Sequence, residues 1–190
     1  PDTHHGWADM TRFNRAWFVA ALAVVSVASA AYETAFEKTP VDEIAVRELP
    51  AGKWLVARDE GTYFEQSDRL FRRLFDYIRD HDIDMTVPVT GDLNRAEMRF
   101  FFAGSEPKTM PETTTVTIVS TPARRVVSIG GSGAYSETNV GELRSKLEAW
   151  FLSNREWRPT GKPYAVYWNG PFTPWFLKRF EVHVPIAPTP

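Results

Sequence analysis

The chain has 190 residues, 43% of them hydrophobic, and its 22 basic and 24 acidic side chains leave a net charge of −2. That length supports one sizeable core and a single folded domain, and the balanced charge gives no electrostatic footprint for nucleic acid. The absence of cysteine excludes disulfides, thiolate catalysis, zinc–thiolate centres, iron–sulfur clusters and thiolate-ligated haem together.

The N-terminus carries an export pattern. Arg12 and Arg15 precede an apolar run over residues 16–31 that ends in Ala28-Ser29-Ala30, the layout of a signal peptide cleaved after Ala30. A buried helix would need a polar face, and this run offers only Ser26 and Ser29. An uncleaved membrane anchor is the closer rival, although the run is short for a full span. Residues 1–30 are thus read as an extension plus signal peptide, and residues 31–190 as one domain. The protein is expected outside the cytoplasm, in the periplasm, or at the membrane if the segment is retained. His4 and His5 leave with the extension, so the mature chain keeps His81 and His183.

Segments 44–49 (IAVREL) and 53–60 (KWLVARDE) read as strands joined by a Pro50-Ala51-Gly52 turn. A helix follows over 67–80, with Phe71, Leu74, Phe75 and Ile78 at i, i+3, i+4 and i+7, one core-facing stripe. Two more strands are read at 85–90 (MTVPVT) and 97–103 (EMRFFFA). Pro88 has no N–H to give to a ladder, which assigns the first of these to an edge, a bulge or the lip of a cleft.

The second half repeats the first. It offers strands at 114–121 and 124–131, a helix over 140–152 capped by Asn139 with Glu142 in a capping box, and strands at 164–169 and 178–185. An offset of 72 residues puts Pro50 on Pro122, Gly61 on Gly133, and Phe71, Phe75 and Ile78 on Leu143, Leu147 and Trp150. Both turn residues and a helix face coincide. The fold class is therefore α+β: a duplicated ββαββ-type unit forming one antiparallel sheet, closed or nearly so, carrying two main helices.

Two stretches could wall a binding site. On the first helix a second apolar line, Leu70, Leu74, Tyr77 and His81, flanks the core stripe; such width suits either a deeply embedded helix or one bordering a pocket. Arg69, Arg72, Arg73 and Arg79 surround it. Guanidinium groups beside an apolar groove would suit a flat ligand bearing carboxylates, whereas most charged helix faces are simply solvated. The other stretch is the 169–178 loop, NGPFTPWFLK. It carries Phe172, Trp175 and Phe176, which either tuck into the core or form a lid with Lys178 at its rim.

With LFRRLFDYI (70–78), MTVPV (85–89), GSGAYSE (131–137), KPYAVYWNGP (162–171), RFEVHVP (179–185) and Tyr32-Glu33 in place, the chain resembles the SOUL haem-binding family over nearly all of residues 31–190. The resemblance implies a distorted eight-stranded antiparallel barrel with two helices, similar to effector-binding domains. It also implies non-covalent binding of haem or another tetrapyrrole between the first helix and the loop before the last strand. Leu70, Arg72, Leu74, Tyr77, His81 and Met85 would then form one wall, and Phe172, Trp175, Phe176 and Lys178 the other. The chain departs from the family pattern in a shorter loop over 80–84 and in having Phe180 where an asparagine is usual.

The resemblance supplies no axial ligand. His81 sits at a helix C-terminus, where capping competes with ligation; Asp80 and Asp82 beside it favour the protonated ring, which cannot bind iron. His183 shares its face with Arg179 and Glu181 and is expected to point to solvent. Binding by burial and propionate pairing, with iron ligation weak or absent, is the reading that follows. The rival reading is a small-molecule effector or hydrolase-like domain using an acid such as Glu137 or Glu181. No Ser-His-Asp spacing, HExxH or phosphate-binding glycine loop accompanies it, so no enzyme is assigned.

Overall fold

The structure is a computed structural model that describes residues 35–102, 111–170 and 172–190. The described residues belong to one compact unit, residues 32–190. The expected signal segment lies outside the described residues, as do Tyr32 and Glu33.

The first unit of the repeat supplies β1 (Ile44–Leu49), β2 (Gly52–Arg58), α1 (Tyr63–Asp80), β3 (Val89–Asp92) and β4 (Glu97–Phe102). The second supplies β5 (Val116–Thr121), β6 (Arg124–Ser132), α2 (Glu137–Ser153), a short β7 (Trp157–Pro159), β8 (Tyr164–Tyr167) and β9 (Arg179–Pro188). Only β7 has no counterpart in the sequence reading. All ladders between strands are antiparallel and run β1-β6-β9-β8-β3-β4-β2-β5, with β7 on the far end of β9. The sheet stays open, because β1 and β5 are its two edges and do not pair.

That order carries the duplication. Exchanging each strand for its equivalent in the other unit turns β1-β6-β9-β8 into β5-β2-β4-β3, the same order read from the opposite edge. The pseudo-twofold falls between β3 and β8, and each unit lends its first strand to the other: β1 pairs with β6, β5 with β2. Gly61 and Gly133, aligned by the repeat, both hold positive φ, +95° and +109°, a conformation that costs other residues a Cβ clash. Each starts the turn into a helix.

Helix starts are fixed by local hydrogen bonds. Glu65 Oε2 accepts from both the backbone N–H and the hydroxyl of Thr62, at 3.2 and 2.8 Å, and so begins α1 four residues before the sequence places it. The N-cap of α2 is Ser136, whose hydroxyl accepts from the Asn139 N–H at 3.2 Å. Asn139 instead donates its side-chain amide to Ala134 O. The sequence put the cap three residues late because the true capping residue follows a run of small turn residues.

Both helices pack on one face of the sheet, in a single core with Leu55, Phe100, Ile129, Phe180 and Val182. α1 buries Leu70, Leu74, Tyr77 and Ile78, and α2 buries Val140, Leu143 and Leu147. This corrects the expected stripe: Phe75 is exposed and Phe71 half-buried. Sliding the helix alignment one residue past the repeat offset puts Leu70 on Leu143 and Leu74 on Leu147, and those pairs are the buried ones. Each full burial of a leucine contributes on the order of 2 kcal/mol, and both helices place such a leucine pair against the sheet.

Pro88 is also reassigned. β3 lies in the middle of the sheet, between β4 and β8, and Pro88 sits just ahead of it, joined to Val87 by a cis peptide bond. The missing donor therefore falls outside the ladder, and the strand needs no edge.

The opposite face of the sheet is covered as well. Residues 35–41 run across it: Ala35 N donates to Val87 O, and Phe36 meets the Trp168 ring edge-on at 5.3 Å. Beneath this cover His183 is fully buried and Glu181 is 1% exposed. The expectation of a solvent-facing His183 and a plain Glu181 is overturned for that reason. β9 is buried on both sides.

Candidate functional site

The helix-bearing face opens at the pseudo-twofold into a cavity of about 640 Å³, within the range that takes a drug-sized or cofactor-sized molecule. Its wall from α1 comprises Tyr63, Phe64, Ser67, Asp68, Phe71 and Arg72; Met85, Val87 and Val89 form a second side. The α2 approach contributes Tyr135, and the β8–β9 loop contributes Asn169, Trp175 and Lys178. Val87 and Val89 reach the cavity from either side of Pro88, which is itself buried and does not line it.

Three tyrosines organise the floor. The Tyr63 and Tyr167 rings stack at 5.9 Å and 8°, and Tyr135 leans on Tyr167 at 4.5 Å. Tyr63 lies flat on Gly91, where an added Cβ would come within 2.4 Å of its ring; only glycine leaves room for it. The Tyr135 hydroxyl donates to Arg179 O at 3.0 Å and accepts from Asn169 N at 3.0 Å, pinning both ends of the β8–β9 loop. Burial holds its phenol up at about 12. Tyr167 differs. Its hydroxyl is buried and makes no hydrogen bond of good geometry among the described residues, although the Tyr63 hydroxyl is near enough to ease the ionisation that burial pushes well above the ordinary tyrosine value. A phenol so placed, 4% exposed, has polar capacity left over.

Two cations stand at the rim. Of the four arginines on α1, Arg69 and Arg73 pair with Asp59 and Arg79 with Asp76 and Asp80. Arg72 has no carboxylate partner among the described residues and reaches only Asp68 O, at 3.4 Å. Lys178 lies over the Tyr135 ring at 4.7 Å, again without a carboxylate among the described residues.

The structure brings together Arg72, Met85, Trp175 and Lys178 of the expected set. Leu70, Leu74 and Tyr77 do not join them; they face the sheet, and Tyr77 donates its hydroxyl to Pro111 O at 3.1 Å. His81 is the C-cap of α1, more than two turns beyond Arg72, with Nδ1 2.8 Å from Tyr77 O and its ring stacked on Tyr77 at 4.2 Å. No histidine among the described residues lines the cavity. Phe172 is 98% and Phe176 59% exposed; both stand off the cavity, which they neither fill nor close. The sequence reading missed Tyr63, Tyr135 and Tyr167. A signal was present, since the repeat offset that aligns Gly61 with Gly133 also aligns Gly61-Thr62-Tyr63 with Gly133-Ala134-Tyr135.

Compared with known proteins, residues 27–185 match the family model described as SOUL heme-binding protein. No curated protein matches the chain. Among solved structures the chain is similar to the EcmrR C-terminal domain, with a TM-score of 0.61 and 16% identity over 77% of this chain and 98% of that one. A hydrolase from Listeria innocua superposes with a TM-score of 0.51 and 11% identity over 78% of this chain and 94% of that one. At such identities these two likenesses concern the fold, which is that of the effector-binding group.

Proposed function

As the chain belongs to the SOUL heme-binding family, we propose that it binds haem or another tetrapyrrole non-covalently, as a carrier or sequestering module, in the cavity between α1 and the β8–β9 loop. The observation that carries this reading is the pairing of an aromatic, largely apolar cavity with two rim cations, Arg72 and Lys178, that lack carboxylate partners among the described residues. A flat apolar ring system with carboxylate side chains is the ligand chemistry that such a site suits. The residues fit that group: Tyr63, Phe71, Tyr135 and Trp175 offer ring surface, Arg72 and Lys178 would hold its carboxylates, and the buried Tyr167 hydroxyl lies on the floor beneath. Haem would bring iron, yet the reading needs no axial bond, because burial and carboxylate pairing would hold the ring; among the described residues no histidine lines the cavity. The partner is a small molecule rather than nucleic acid, in keeping with the net charge of −2. We place the mature protein outside the cytoplasm on the strength of Arg12, Arg15 and the apolar run over 16–31.

The test is an absorption titration of the full chain with haemin. A shifted Soret band saturating near one equivalent is expected. Arg72→Glu with Lys178→Glu should weaken binding by about ten- to a hundredfold, the loss of two charge-assisted contacts, while His81→Ala should leave the spectrum unchanged. Unaltered affinity in the double variant would remove this cavity from the reading. Uptake of apolar cations with no Soret shift would favour the rival effector-binding function, for which Asp68 is the acid lining the cavity.

A further inference from the structure

The face of the sheet turned away from the helices carries a second recess, of about 410 Å³, lined in part by Asp92, Arg95, Arg99, Arg124, Lys162 and Tyr164. It arises from register. Arg58, Glu97, Asp92, Tyr164 and His183 are successive partners across β2, β4, β3, β8 and β9, so their side chains share one face.

Positive charge is in excess there. Glu97 is fully buried and is the shared carboxylate of three guanidiniums: Arg58 at 2.6 Å, Arg99 at 2.7 and 2.5 Å, and Arg95 at 3.3 Å. Asp92 is occupied by Arg95 at 2.9 Å and by the Asn94 N–H at 2.9 Å. Arg124 and Lys162 have no carboxylate partner among the described residues. The two acids therefore leave at least two positive charges unmatched around the recess.

Arg124 is also held in place. Its guanidinium lies over the Tyr164 ring at 5.1 Å and donates to the Tyr164 hydroxyl at 3.1 Å. That hydroxyl lies 3.3 Å from His183 Nδ1, and His183 Nε2 lies 2.7 Å from Glu181 Oε2. Glu181 is itself fixed by the Trp168 indole N–H at 2.6 Å and the Thr39 N–H at 2.9 Å. A buried hydrogen-bonded chain thus ends on a guanidinium aimed at an open recess. Surface arginines left to solvent have no such support, and fixing a donor in advance is what raises affinity for an oxyanion.

We propose that this recess is a second ligand site, for a small doubly charged oxyanion of the phosphate type, with Arg124, Arg99 and Lys162 as its donors. It is separate from the tetrapyrrole cavity, which lies on the other face of the sheet, and it stands or falls independently of that reading. A tetrahedral dianion can accept from several planar N–H groups at once, which favours guanidinium over ammonium as its principal partner.

The experiment titrates the full chain with inorganic phosphate in low-salt buffer, followed by calorimetry. Saturable one-to-one binding is expected, with half-saturation at ~1 mM. Arg124→Gln and Lys162→Gln should each weaken it about tenfold, while Arg72→Gln, on the other cavity, should not change it. Lys162 is exposed and has no ion-pair partner among the described residues, so its variant keeps the fold even if loss of Arg124 disturbs the chain behind it. Phosphate uptake that never saturates would overturn the proposal. So would equal weakening by Arg72→Gln, or full displacement by chloride at matched ionic strength.

Discussion

The two faces of β9 make an instructive contrast. Phe180, Val182, Val184 and Ile186 look toward the helices and are sealed by ordinary apolar packing. Glu181 and His183, the residues between them, are as deeply buried, but against each other and against Phe36, Trp168 and Thr39. The first face gains stability from area removed from water and tolerates variation in shape. The second depends on every polar partner being present, because a buried charge that loses its partner has no solvent to turn to. One strand therefore carries two kinds of stability, and the cavities follow suit: apolar and aromatic on the helix side, cationic on the other.

The sharpest break of that contrast is Glu181→Ala. It strands His183, the Trp168 indole and the Thr39 N–H at once, and a loss of about 3–5 kcal/mol is expected in urea unfolding. A loss below about 1 kcal/mol would mean that solvent reaches this face and that the two sides are alike. The helix side responds more mildly. In Gly91→Ala the new methyl would enter the space of the Tyr63 ring, for an expected cost of about 1–3 kcal/mol by overpacking. The displaced ring should also reduce haemin uptake; intact uptake would separate Tyr63 from the cavity.

The smallest effect concerns acid. Burial pushes the Glu181 carboxyl up, but the His183 ring and the Thr39 N–H outweigh it, and the net shift is downward from 4.5. A carboxyl lowered by folding contributes its full stability above its unfolded value and loses it as pH falls through the lowered one. The thermal midpoint of the native chain should therefore drop below about pH 4.5 by more than that of Glu181→Gln. Parallel acid limbs for the two proteins would show that Glu181 gains nothing from its partners.

Much of the architecture was legible in the chain because periodicity and turn chemistry are local. Eight strands, two helices and the duplication were readable from alternation, from Gly61 and Gly133, and from the matched Pro50 and Pro122. The cavity lining was legible in part. Arg72, Trp175 and Lys178 were readable from charge and aromatic content beside an apolar stretch, and Met85 from the family resemblance. Leu70, Leu74 and Tyr77 were misplaced because an apolar stripe wide enough for either face does not reveal which edge meets the sheet.

What the sequence determined by itself is the family, the repeated unit and the positions of helices and strands, since each follows from neighbours a few residues apart. The tertiary structure alone decided that the sheet stays open, that β3 is central, and that the first strands are exchanged between units. It also decided that His183 and Glu181 are interior. Strand alternation records a difference between two faces only where one of them meets water. Here the segment over 35–41 returns across the outer face, and no spacing within β9 could have signalled its arrival.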